Sequence, residues 1–249
     1  VANGKTEWIK LNPGMEKAAA FLETHRYAAY LGASLGFTKM EGTTVNAKDK
    51  IAYSALQNIQ SSMVAGNAAN VPGNGISVPK QLVAGAVMAL NLKGGQKDTA
   101  GGTINSEWMP VDTKVLLAGE DITADALGNT ANPNNIANPD NLKFSEKMRT
   151  LFIGEDSSQH VNNFLWAYNV DTKQLSRVMS IPAGGESTGL HAVDEINGWT
   201  YIMSNFQHAG DWGSIHSVVK DTLDPMIKAN YKNKNGAAVG YLTAAAKQP

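Results

Sequence analysis

Asn163-Phe-Leu-Trp-Ala-Tyr-Asn169, Asp171-Thr-Lys173 and Leu175-Ser-Arg-Val-Met-Ser-Ile181 follow one another in the stretch that decides the fold class. The first and last pieces alternate along the chain with the period of a strand, and Asp-Thr-Lys between them is turn chemistry. Together they predict a hairpin. The same pattern extends on both sides. Leu142-Lys-Phe144 leads through a polar turn to Thr150-Leu-Phe-Ile153, and Thr200-Tyr-Ile-Met-Ser204 follows the turn Ile196-Asn-Gly-Trp199. Short strands at this spacing, each closed by turn residues, predict propeller blades or a sandwich.

The N-terminal half is read in the same way. Thr6–Leu11 reads as an edge strand ended by Asn12-Pro13, and Met15–Leu31 as a helix that packs an apolar stripe on the body and ends at Gly32. Lys50–Leu56 and Gln81–Leu92 read as strands, with a Ser-, Asn-, Gly- and Pro-rich loop over 60–80, and Lys114–Gly119 is a short apolar stretch. Glu41 falls in a Gly-terminated turn between extended segments. Asp211–Tyr231 reads as loop with a short helix, and Val239–Thr243 as a final strand before a loose tail. Turn–strand units recur, but no exact internal repeat is visible. The architecture expected from the pattern is therefore all-β with a few short helices, as a propeller or a sandwich.

Composition narrows the function. With 43% hydrophobic and 17% charged residues, the 249-residue chain is globular rather than disordered. A formal net charge of −1 gives no electrostatic basis for binding nucleic acid or an anionic membrane. No apolar run approaches the roughly 20 residues of a membrane span. The absence of cysteine excludes disulfides, thiolate metal sites and a cysteine nucleophile within the chain. Starting at Val1 without a signal peptide, the chain reads as mature, trimmed or a fragment.

Carboxylates at the ends of apolar runs carry the functional signal. Asp140 lies in Asn-Pro-Asp-Asn-Leu, Glu155 and Asp156 follow Thr150–Ile153, and Glu186 lies in Gly-Gly-Glu-Ser-Thr-Gly. Oxygen ligands drawn from several strand ends are what a hard cation such as calcium takes. Read by spacing alone, the same acids suit separate exposed turns. Ser157, Ser158, His160 and Asp156 cluster too. A serine hydrolase is disfavoured, because neighbours in sequence rarely form a triad and no Gly-X-Ser-X-Gly elbow exists.

Five segments, taken together, resemble the PhoX-type alkaline phosphatases. They are Ala20-Phe-Leu-Glu-Thr-His-Arg-Tyr-Ala28, Phe37-Thr-Lys-Met-Glu-Gly42, Pro139-Asp-Asn-Leu142, Gly185-Glu-Ser-Thr-Gly189 and Asn205-Phe-Gln-His-Ala-Gly210. The resemblance implies an exported bacterial protein, periplasmic or secreted, with a β-propeller body that hydrolyses phosphate esters using calcium and ferric iron. It also implies roles for particular residues. Glu41 is a metal-binding and catalytic glutamate, and Asp140, with Asn141 beside it, a metal-binding acid. Glu155 or Asp156 is a further acid, Glu186 another, and Gln207-His208 the pair near the site. Arg26 or Lys39 would neutralise phosphate charge. The family's cysteine iron ligand belongs to an N-terminal part without a counterpart here, so residues 1–249 would form the C-terminal portion of a larger propeller whose missing part is an expected partner. The alternative is a non-catalytic, calcium-stabilised propeller acting as a binding or assembly module.

Overall fold

The computed structural model describes residues 10–34, 36–71, 73, 75–98, 100–232 and 236–245. It is mostly β, with 40% strand and 14% helix. Three antiparallel sheets carry the fold. The first holds β1 (Met40–Asn46), β2 (Ile51–Leu56), β3 (Ala86–Lys93) and β4 (Met109–Ala118) in sequence order. The second holds β5 (Pro139–Ser145), β6 (Thr150–Glu155), β7 (Phe164–Asn169) and β8 (Leu175–Ser180), again in order. The third pairs β9 (Glu186–Ile196) with β10 (Trp199–Gln207) and β10 with β11 (Ala238–Ala245). Each sheet is an up-and-down meander, and none closes into a barrel.

The sheets stack in chain order, with β1 against β5 and β5 against β9. The first strands of successive sheets therefore lie side by side. Alternation along β6 explains the stacking. Leu151 and Ile153 face the first sheet and close the main core with its Tyr53 and Val87 and with Phe144 and Trp166 of their own sheet. Phe152 points the other way, into a second core with Leu165, Ala192 and Ile202. Each fully buried side chain of this kind contributes about 1.5–3 kcal/mol. The other face of the first sheet is covered by the segment that holds Ile59, Met63 and Ile76, packed on Leu56, Ala86 and Met88.

A repeat absent from the sequence pattern is present in the pairing. Hairpin β1–β2 runs from Met40 opposite Leu56 to Asn46 opposite Ile51. Hairpin β5–β6 runs from Pro139 opposite Glu155 to Ser145 opposite Thr150. Each has its one irregularity just after the first pair. Even the entry residues agree: Lys39 and Asn138, each preceding the inner strand, are left-handed at φ +42° and +44°. At the opposite end Arg149 ties the hairpin turns together, pairing with Asp171 at 2.9 Å and Asp49 at 2.5 Å.

Some expectations are corrected. The helix over 15–31 is two: α1 (Glu16–Leu22) and α2 (Thr24–Tyr30), broken where Glu23 leaves helical geometry at φ −133°, ψ 41°. Neither helix buries a residue among the described ones, and Phe21 and Leu22 are 77% and 82% exposed, so no stripe packs on the body. Glu41 lies within strand β1, not in a turn. The strand expected over 81–92 starts only at Ala86, because Gly85 is left-handed at φ +71°, where its missing Cβ lets the Gln57 carbonyl approach. Strand β9 was not anticipated. The short helix expected within 211–231 is α3 (Lys220–Asn230), and the final strand is present. The edge strand over 6–11 falls largely outside the described residues. No described helix is long and apolar enough to cross a membrane.

Candidate metal centre

The stacking of first strands places acids together. Glu41 is the second residue of β1, Asp140 the second of β5 and Glu186 the first of β9. The second strands end at the same level with Gln57 after β2, Asp156 after β6 and Gln207-His208 at the end of β10. One carboxylate oxygen from each of Asp140, Asp156 and Glu186 lies within 4.8 Å of the others, a spacing that could hold a metal ion. Glu41 stands beside this group and adds repulsion to Asp140, while its own carboxylate faces Lys39 Nζ at 3.7 Å. Gly42 lets β1 come this close, since a Cβ there would meet the Asp140 carbonyl at 2.4 Å.

The electrostatics reflect the crowding. Burial, then the charges of Glu41, Asp156 and Glu186, push the Asp140 pKa up to about 6, and Lys39 opposes them. Gln57 Nε2 donates to Asp156 Oδ2 at 3.0 Å and reaches Asp140 Oδ2 at 3.5 Å. Asn141 Nδ2 donates to Asp140 Oδ1 at 2.9 Å. Glu186 Oε2 accepts from Gln207 Nε2 at 2.7 Å and meets His208 Nε2 at 3.1 Å. Burial disfavours the charged His208 ring, but the Gly184 carbonyl and Glu186 outweigh it and the pKa lies above the usual value.

Glu155 does not belong to the group, and this corrects its candidacy as a ligand. It is fully buried. Its Oε1 accepts from Ala137 N at 2.8 Å and Trp166 Nε1 at 2.6 Å, and its Oε2 from Phe164 N at 2.9 Å, with His160 Nδ1 at 3.0 Å. A carboxylate so occupied locks loops to strands and has no lone pair left for a cation. Asp156, one residue later, turns to the site instead. Arg26 is also corrected. It is exposed on α2, pairs with Glu23 at 3.7 Å and lines a separate hollow with Tyr27 and Tyr30. Lys39 is a cation that neighbours the acids. The serine alternative finds no support, since Ser157 Oγ donates to Asn138 Oδ1 at 2.8 Å and the His160 ring faces Glu155 and the Asn132 carbonyl.

Beside the acids opens a cleft of about 440 Å³. Asp156, Gln57, Lys39 and His208 line the side shared with the carboxylates, and Trp212 and Asn163 also line it. Sequence reasoning missed Gln57, for a lone glutamine after a strand carries no signature. Three carboxylates offer one oxygen each to a metal ion, and a cation there would oppose the crowding of negative charge around Asp140. The thiolate that the resemblance requires for iron has no counterpart in a chain without cysteine. No family profile, curated protein or solved structure matches the chain.

Proposed function

We propose that the chain is a sector of a propeller-like, PhoX-type phosphatase whose inner strand ends hold calcium and hydrolyse phosphate esters beside it. The observation that carries this reading is the convergence of Asp140, Asp156 and Glu186, from three segments far apart in sequence, at the edge of a cleft. Sheets stacked with their first strands adjacent are the arrangement of propeller blades, which supports that architecture. A cation bound there would supply polarisation of phosphoryl oxygens. The chain's own residues would do the rest. Asp140, Asp156 and Glu186 hold the cation, Lys39 Nζ offsets phosphate charge, Gln207 and His208 orient Glu186, and Trp212 bounds the space for the ester's alcohol portion.

Elemental analysis of the purified protein, followed by assay against a generic aryl phosphate with calcium and then iron added, tests the proposal. Calcium at about one or more per chain with hydrolysis lost in Asp156→Asn supports it. A protein that retains no divalent cation after calcium loading refutes it. Calcium without hydrolysis selects the second reading, a calcium-stabilised binding or assembly module. The observations favouring that alternative are the missing thiolate and the absence of Arg26 from the lining of the cleft.

A further inference from the structure

We propose that Gln57 is a fourth cation ligand: its amide oxygen joins Asp140, Asp156 and Glu186, and a turn of the amide selects between holding the carboxylates by hydrogen bonds and holding calcium with them. The inference rests on the cation-binding reading above and adds to it a residue and a selectivity.

The pairing gives the first argument. Leu56 opposite Met40 in the first sheet corresponds to Glu155 opposite Pro139 in the second. Gln57 therefore occupies in its sheet the place that Asp156 occupies in the next. Asp156 contributes an oxygen to the acidic group, and Gln57 approaches the same point from the neighbouring sheet. The two lie 99 residues apart in sequence and 3.0 Å apart in space.

The second argument concerns the side chain itself. Gln57 lines the cleft beside the acids, and among the described residues no donor reaches its Oε1. Its nitrogen contacts Asp156 twice, at the carboxylate and at the carbonyl 3.3 Å away, and Asp140 once. Oxygen and nitrogen of the amide have nearly the same shape, so rotation about the last side-chain bond exchanges them without moving anything else. One orientation offers hydrogens to carboxylates. The other offers an oxygen to a cation that the carboxylates share.

The backbone is built to hold the residue still. Gln57 N donates to the Lys39 carbonyl at 3.0 Å, and its carbonyl accepts from Asn138 Nδ2 at 2.8 Å. Gly85 leaves room for that carbonyl, where a Cβ would approach to 2.3 Å. Asn138 also receives Asp156 N at its own carbonyl, 3.2 Å away, so one left-handed residue sets both ligands. Support of this kind fixes ligand direction before the ion arrives.

Charge explains why an amide is used. Three carboxylates already exceed a divalent ion, and a fourth would add repulsion, whereas a neutral oxygen adds coordination at no charge. Calcium takes six to eight oxygens, amide carbonyls among them, in flexible geometry; magnesium demands a tight octahedron and keeps its waters. Gln57 should thus matter for calcium more than for magnesium.

The test is calcium and magnesium titration calorimetry of the metal-stripped wild type, Gln57→Leu and Gln57→Glu, with a crystal structure of the calcium-loaded wild type. Thermal melting in chelator verifies that each variant is folded. The expected result is a calcium affinity about 10- to 100-fold weaker in Gln57→Leu, a smaller change for magnesium, affinity retained in Gln57→Glu, and Gln57 Oε1 among the atoms bound to calcium. Wild type that binds no calcium overturns the cation reading and this inference with it. Wild type that binds while Gln57→Leu binds equally well overturns this inference alone, as does a loaded structure in which the amide nitrogen still faces Asp156. If Gln57→Leu does not fold, calcium affinity in Gln57→Ala within twofold of wild type is the overturning result.

Discussion

Glu155→Gln is the substitution that separates a structural carboxylate from the metal-binding ones. It preserves shape and replaces one acceptor oxygen by an amide nitrogen. In whichever orientation the amide settles, two donors that now point at oxygen will point at hydrogens: either Ala137 N and Trp166 Nε1, or Phe164 N and the His160 ring. Hydrogen bonds to a charged group contribute roughly 1.5–3 kcal/mol each, and a buried donor left unmet costs about 1–3. Two such losses in a fully buried site give a destabilisation of about 3–6 kcal/mol. For a chain of this size about 2–4 °C of Tm accompanies each kcal/mol, so the melting temperature should fall by roughly 6–24 °C. Near-ultraviolet circular dichroism is a suitable probe, because Trp166 is both a partner and a reporter. Below the transition, Glu155→Gln should bind calcium with the stoichiometry of the wild type, whereas Asp156→Asn should keep the fold and lose affinity. A shift of less than about 1 kcal/mol in Glu155→Gln, or loss of the calcium site from a protein still folded, would refute the assignment of Glu155 to the framework.

Three other outcomes are expected. Chelation should lower the melting temperature of calcium-loaded protein, and calcium should restore it better than magnesium; an unchanged melt in excess chelator removes calcium from the structure of this chain. In metal-free protein, Asp140 with a pKa raised to about 6 keeps a proton that the unfolded chain has released, so its contribution is full below about pH 4 and is lost as pH rises through 6. His208, also raised, acts in the same direction, and after discounting for solvent screening the loss between pH 5 and 7 should be on the order of 1 kcal/mol in urea titrations, disappearing in saturating calcium; stability that rises over that range contradicts the acid crowding. Arg26→Ala should leave calcium affinity and any phosphatase rate within about twofold of wild type, since it sits on α2 apart from the acids; a larger loss measured by the same assays would return Arg26 to the site.

The strands were legible because period-two alternation and turn residues are local. Thr150–Ile153 and Asn163–Asn169 declare themselves without knowledge of their neighbours. Strand β9 was hidden because its opening, Gly185–Gly189, reads as a turn. In the fold, Gly189 at φ +59° sits close to the Asn205 side chain, near the irregularity between Met203 and Asn205, and the strand continues through it. The helical stretch misled for a related reason. Apolar residues at helical spacing predict a face to be buried, but burial depends on a partner that the stretch itself does not specify. Phe21 and Leu22 find none among the described residues.

The choice between Glu155 and Asp156 shows what the sequence held and left unread. Leu151, Ile153 and Glu155 share a parity, so a strand that sends the first two into the core sends the third there as well. The buried Trp166 indole requires an acceptor, and Glu155 provides it. Asp156, on the opposite parity and just past the end of the strand, is then the residue free to turn outward. Gln57 yields to the same logic only after the first two sheets are superimposed by register, because Leu56 occupies the parity of Glu155 and nothing in the composition around it marks the next residue. Convergence of distant acids is a property of stacking order. It becomes visible when β1, β5 and β9 are placed side by side, and the shared register of the first two hairpins then brings Glu41 and Asp140 to one level.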